Sequence, residues 1–284
     1  MNDIQLAALV EQARSGDAAA LEEVVRAIQD EVFDFALRML GDTTDAHDAS
    51  QEVLVRVVTK LGSFRGESKF RTWVYRLAAN ALLNFRGVLR RKEMSFDEAE
   101  EIVQHAIAND ADAPLAAPDL ALIHEVCLVC TYGMLLCLDR PHRLAYVLGE
   151  VLELTSEEGG AVLEISQAAF RKRLSRARES MEAFLKKNCG VADPANACRC
   201  SKLLPLAQSV GLVDPKRLVM ARLPTRETSR LHLEVQQVRT AAEIFRSMPK
   251  YRATDDFAAS LRAVLNDGPT GVLLDDGDTG GNQQ

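Results

Sequence analysis

The chain has 284 residues, with 34 Lys and Arg against 41 Asp and Glu for a net charge of −7. At 47% hydrophobic residues it is apolar enough for two or three small packed domains, which excludes a disordered polyelectrolyte. No apolar run approaches the roughly 18–20 residues that span a bilayer, so no membrane span is expected.

Apolar residues recur at helical spacing along most of the chain, and no alternating run of β-branched residues appears, so an all-α protein is expected. The first helices are predicted over 4–14, 18–40 and 46–61, punctuated by Gly16-Asp17, Gly41-Asp42 and Gly62. The opening MNDIQLAALVEQARSGD has no basic stretch before an apolar block, so no secretory leader is expected. Residues 1–55 carry Arg14, Arg26 and Arg38 against a dozen acids. The sign then reverses.

A helix over 69–92 and the loop before it hold Arg65, Lys69, Arg71, Arg76, Arg86, Arg90, Arg91 and Lys92 against Glu67, with Arg56 and Lys60 just upstream. In an acidic protein such a density needs a local cause, and phosphate attraction supplies one. On a wheel of about 100° per residue, Phe70, Val74, Leu77, Ala81, Phe85 and Val88 form the core stripe. Lys69, Arg76 and Asn80 share a neighbouring side, with Trp73 on the rim between the two. With Tyr75 also on display, the aromatic rings and cations suit a platform for unpaired bases. Trp73 as a plain core-edge residue is the alternative.

Residues 94–119 contain no Lys or Arg, are alanine-rich and are broken by Pro114 and Pro118, which reads as an acidic linker with one short helix at most. Helices follow over 121–138, 142–154, 156–163 and 167–187. The last two read as a helix-turn-helix, with Thr155 and Glu158 as a capping box and Ser166 capping the second. The second helix buries Phe170, Leu174, Ala177, Met181 and Phe184 and presents Gln167, Ala168, Arg171, Lys172, Ser175 and Arg176. Small residues first and cations after suit a major groove with flanking phosphates. A solvated basic helix is the plain alternative. Gly159 and Gly160 inside the preceding helix are a local conflict that only close packing would resolve.

Six cysteines in a chain of this size do not make a disulfide framework, and a cytoplasmic, reducing compartment is expected. Cys189, Cys198 and Cys200 fall within twelve residues and could share a zinc ion, with His142 or another cysteine as fourth ligand, or could sense redox state beside Arg199 and Lys202. Cys127, Cys130, Met134 and Cys137 are read as a core stripe. Beyond Cys189, helices are expected over 226–247 and 254–265, then a frayed tail. No nucleotide-binding glycine loop, metalloprotease string or nucleophile elbow is present, so an enzyme is not expected.

The segments DAHDASQEVLVRVV (45–58), FRGESKFRTWVYRLAAN (64–80) and ISQAAFRKRLSRAR (165–178) resemble bacterial RNA polymerase sigma factors, the compact extracytoplasmic-function group most of all. The resemblance runs over about the first two-thirds of the chain. It implies a core-binding and promoter-melting domain at 1–93, an acidic linker at 94–119, a helix-turn-helix domain at 120–188, and a Cys-containing helical extension at 189–284. It implies RNA polymerase core and promoter DNA as partners, and an anti-sigma factor as a further one. Asp45, Asp48, Gln51 and Glu52 would meet the polymerase, and Phe64, Arg65, Lys69, Arg71, Trp73, Arg76 and Asn80 the single strand of the minus-ten element. Ser166, Gln167, Ala168, Arg171, Lys172, Ser175 and Arg176 would read the minus-thirty-five duplex. A stand-alone helix-turn-helix regulator is the other functional class, and the extension, which exceeds the two-domain pattern, is expected to pack on a DNA-binding domain.

Overall fold

The computed structural model describes residues 1–85, 94–109, 120–223, 225–227, 241–253 and 256–267. Four helices come first: α1 (Asp3–Arg14), α2 (Ala18–Leu40), α3 (Thr43–Lys60) and α4 (Phe70–Leu83). Their starts follow from side-chain capping: Asp17 accepts from the N–H groups of Ala19 and Ala20, and Asp42 from those of Thr44 and Asp45. Gly41, at φ 66°, ends α2 in the left-handed region. α2 is the axis of this unit, packed by α1, α3 and α4. Its Val24, Val25, Ile28, Phe33, Phe35 and Leu37 are wholly buried. Each such large side chain contributes about 1.5–3 kcal/mol relative to exposure.

The second unit holds α5 (Phe96–Asn109), α6 (Leu120–Leu136), α7 (Arg140–Tyr146), α8 (Ser156–Leu163) and α9 (Gln167–Asn188). A π turn over Val147–Val151 prolongs α7. The expected capping box is present: Thr155 and Glu158 each bond the other's backbone N–H. Ser166 accepts from Ala169 N–H to start α9. Glu164 makes the turn at φ 54°, a conformation that glycine would adopt more cheaply. Close packing answers the conflict raised by Gly159: a Cβ there would stand 2.3 Å from the Phe170 ring.

The acidic linker departs from expectation. Its described part is the 14-residue helix α5, which packs on the second unit. Phe96 meets Phe184 with ring centroids 5.3 Å apart, Glu100 pairs with Lys187 at 2.6 Å, and Gln104 donates to Asn188 at 3.2 Å.

The extension carries α10 (Cys200–Ser209), α11 (Ala241–Arg246) and α12 (Phe257–Asp267), and it adds strands. Thr225–Glu227 (β1), expected to start a helix, instead pairs antiparallel with Lys250–Tyr251 (β2). Among the described residues the regular structure is otherwise helical. The extension packs on both units rather than one. Arg38, held to Asp34 at 3.0 Å, donates to Phe245 O, and Ala253 N–H reaches Asp30 on α2. On the second unit, Glu125 of α6 accepts from the N–H groups of Val219, Met220 and Ala221, and Arg246 donates to Glu150 O at 2.6 Å. One hydrophobic core runs through all three segments.

The two units are also joined by Arg143, only 2% exposed, which donates to the carbonyls of Met39, Leu135, Leu136 and Leu138 at 2.7–3.0 Å. One guanidinium thus satisfies carbonyls at the C-terminal ends of α2 and α6.

Candidate nucleic-acid interface

Of the residues predicted for the minus-ten strand, only some share a face. α4 is buried on most of its circumference: Phe70, Thr72, Val74, Tyr75, Ala78, Ala79, Ala81 and Leu82 all point inward. Tyr75, read as a displayed ring, belongs to the core, edge-on to Phe35 with centroids 5.5 Å apart. Phe64 is likewise buried and packs against both Phe70 and Trp73. Trp73 itself is half-buried, stacked on Phe70 at 5.5 Å, so its face is set by a three-ring cluster. Arg71 turns away towards the other end of the unit, where it pairs with Glu31 at 2.9 Å and with Asp3. Asn80 and Arg65 are exposed. The predicted cations Arg86, Arg90, Arg91 and Lys92, with the far end of that helix, lie outside the described residues.

The remaining face of α4 meets α8. Lys69 Nζ binds Glu158 at 2.9 Å, and Arg76 Nε donates to Ala161 O at 3.1 Å. The bond to Glu158 holds the Lys69 ammonium above its ordinary range, and the same bond holds the Glu158 carboxyl below its own. The helix-turn-helix therefore rests on the cationic face beside Trp73.

The face of α9 is open. Gln167, Ala168, Arg171, Lys172, Ser175 and Arg176 are all exposed, after the exposed capping Ser166. Phe170, Ala177, Met181 and Phe184 are buried behind them as predicted, with Leu174 partly so. Arg178, from the same run, pairs with buried Glu150 and braces α9 from the side.

On α3, Asp48, Gln51 and Glu52 are exposed and Asp45 is half-buried. Val55, 49% exposed, continues this face at the next turn. An exposed apolar residue beside acids is a feature that charge patterning alone passes over, although its i, i+3, i+7 spacing from Asp48 and Gln51 was readable.

The cysteine readings change. His142 does not join Cys189, Cys198 and Cys200; its Nδ1 engages Asp139 at 2.7 Å. Cys127 and Cys130, read as core, are half-buried and pack against it, and they also neighbour those three. Among the described residues no three His, Cys, Asp or Glu side chains are already set to hold a metal ion.

Parts of the chain are similar to known proteins. A family model described as Sigma-70 region 2 matches residues 24–92. The RNA polymerase sigma-H factor of Pseudomonas aeruginosa is 28% identical over 177 residues, covering 62% of this chain and 92% of that protein. The ECF RNA polymerase sigma factor SigW of Bacillus subtilis is 27% identical over 179 residues, covering 62% and 95%. The structure of CnrH in complex with the cytosolic domain of CnrY aligns with a TM-score of 0.46 at 25% identity, covering 63% of this chain and 96% of that one. More than a third of the present chain lies outside each match. The region 2 match, absent from a lone helix-turn-helix regulator, disfavours that alternative, and over about its first two-thirds the chain is similar to the RNA polymerase sigma factors of the extracytoplasmic-function group.

Proposed function

We propose that this chain, a transcription initiation factor and not an enzyme, joins RNA polymerase core in the cytoplasm and divides promoter recognition between α4 and α9. The observation that carries this division is the contrast between their faces. α9 offers Gln167, Ala168, Arg171, Lys172, Ser175 and Arg176 to solvent on one side, as insertion into an intact major groove requires. α4 offers a half-buried indole on a rigid ring cluster beside Lys69, Arg76 and Asn80, which suits capture of unpaired bases of the minus-ten element. Arg65 lies in the loop before it. The exposed face of Asp48, Gln51, Glu52 and Val55, with Asp45 at its edge, would dock on the polymerase.

In the closed arrangement Lys69 and Arg76 are spent on α8, so engagement of the minus-ten strand requires the helix-turn-helix to leave α4. The extension, bonded to α2 and to Glu150 at once, favours the closed state. An anti-sigma factor, the family's further partner, would act on the same equilibrium.

Transcription in vitro with purified core polymerase tests the reading. Trp73→Ala should impair opening of a duplex promoter far more than transcription from a premelted one. Arg171→Ala should weaken duplex binding and flatten its dependence on salt, the slope falling by about one. Equal loss on duplex and premelted templates would refute the role given to Trp73, and failure to bind core polymerase would refute the reading as a whole.

A further inference from the structure

Four cysteines from three separate stretches converge where the helix-turn-helix unit meets the extension. Cys130 lies on α6, Cys189 caps the end of α9, Cys198 lies in the loop that follows, and Cys200 opens α10. The backbone brings them together. Cys189 and Cys198 form a parallel bridge, and the side chain of Asn196 donates to the carbonyls of Lys186 and Cys189. Arg199 ties the loop by donating to the carbonyls of Pro194 and Cys198. The turn after Cys189 lies so close to the second stretch that a Cβ on Gly190 would stand 2.2 Å from Cys198 O. α10 in turn packs on α6, and Cys198, Cys130 and Cys200 share one small core with Val126, Leu203 and Ala207.

The sulfurs lie near one another and meet backbone donors. Cys130 interacts with the sulfurs of Cys200, Cys189 and Cys198. The N–H groups of Val191 and Ala192 point at the Cys189 sulfur, that of Gly190 at Cys198, and the residue's own N–H at Cys200. Amide donors aimed at sulfur satisfy thiolates, and such outer bonds orient and stabilise metal-bound cysteine. Cys127, one turn before Cys130, is hydrogen-bonded to Cys200 but packs on the larger core alone, whereas Cys130 also packs on the small core with Cys198 and Cys200.

We propose that Cys130, Cys189, Cys198 and Cys200 bind one zinc ion as a tetrahedral tetrathiolate, which fastens the start of the extension to the helix-turn-helix unit. Four sulfurs with no carboxylate among them select zinc over hard cations. Zinc binding displaces the four thiol protons to solvent and leaves a site of charge −2, which Arg199 adjoins. A tetrahedron with Zn–S of about 2.3 Å sets its sulfurs about 3.8 Å apart, so the side chains must turn and close on the ion as it binds. A disulfide is the competing outcome. It would join only two of the sulfurs and leave the N–H donors at the others aimed at neutral thiols.

The test uses the full-length chain purified under reductant. About one zinc per chain is expected by elemental analysis, and Co(II) in its place should give the visible bands of a tetrahedral thiolate site. Cys130→Ser and Cys198→Ser should lose the stoichiometric metal. Cys127→Ser should keep it, with affinity weakened by about tenfold as for an outer-shell bond. Circular dichroism of each variant separates loss of ligand from loss of fold. Absence of zinc together with no Co(II) spectrum overturns the proposal, as does a mapped disulfide among these cysteines in protein kept reduced. Retention by Cys130→Ser with loss by Cys127→Ser overturns the ligand assignment.

Discussion

Arg143 and Gly159 show how much a single position holds. Arg143→Met would take a donor from four carbonyls, of which Leu135 O keeps the bond from Leu138 N–H, and each buried group left unsatisfied costs about 1–3 kcal/mol. The expected result in urea unfolding is a loss of at least about 3 kcal/mol, since these costs overlap rather than add. Gly159→Ala would drive a methyl into the Phe170 ring and should cost about 1–3 kcal/mol through overpacking, although alanine is the better helix former. If alanine stabilised the protein, the packing given for α8 on α9 would be wrong. Neither residue announces its role in the sequence. The glycine was legible as a conflict with its helix, and the partner that resolves it is eleven positions away. Arg143 drew no attention, because a lone arginine in a helix reads as solvated and its acceptors come from two units.

Among the elements, α9 was the most legible and α4 the least. α9 has one buried stripe and one wet face, so periodicity alone placed Phe170, Ala177, Met181 and Phe184 inward and Arg171 and Lys172 outward. α4 broke the same rule because α1, α2, α3 and α8 all pack on it. A helix covered on several sides has no single stripe, which is why Tyr75 was placed on the surface and why Arg71 was given to DNA rather than to Glu31. The contact of α4 with α8 has a pH signature. The Glu158 carboxyl lies below its ordinary 4.5, so its contribution is fully present above that value and is lost as pH falls through the depressed one. Fluorescence energy transfer between dyes on α4 and α9 should therefore report a looser contact in the acid range and no change between pH 6 and 8. Lys69→Ala should loosen the same contact at neutral pH and abolish its acid dependence.

For the molecule as a whole, the linker bounds at 94 and 119 were drawn from composition, which records where charge changes sign and not where packing stops. α5 is acidic and yet lies against Phe184 and Lys187, and the extension threads its residues into the core of both units. Amphipathic spacing revealed that the extension had apolar faces to bury but could not name the surface that would take them. Cutting the chain after residue 223 removes the bonds from Arg246 and Phe245 to both units. Analysed by energy transfer, the shortened protein should show α4 and α9 farther apart before polymerase is added. An unchanged distance would mean that α8 and α4 hold together without help.

The bond between Arg38 and the Phe245 carbonyl joins positions 207 apart in the chain, and on the proposed reading it would set a threshold for action. A strand captured only after the strap has let go would be bound with an affinity diluted by the fraction of molecules already released. Each tenfold rarity of that released form would demand tenfold more of this protein for the same occupancy of the strand. Loosening the strap would thus lower the dose at which genes respond while leaving the choice of promoter untouched.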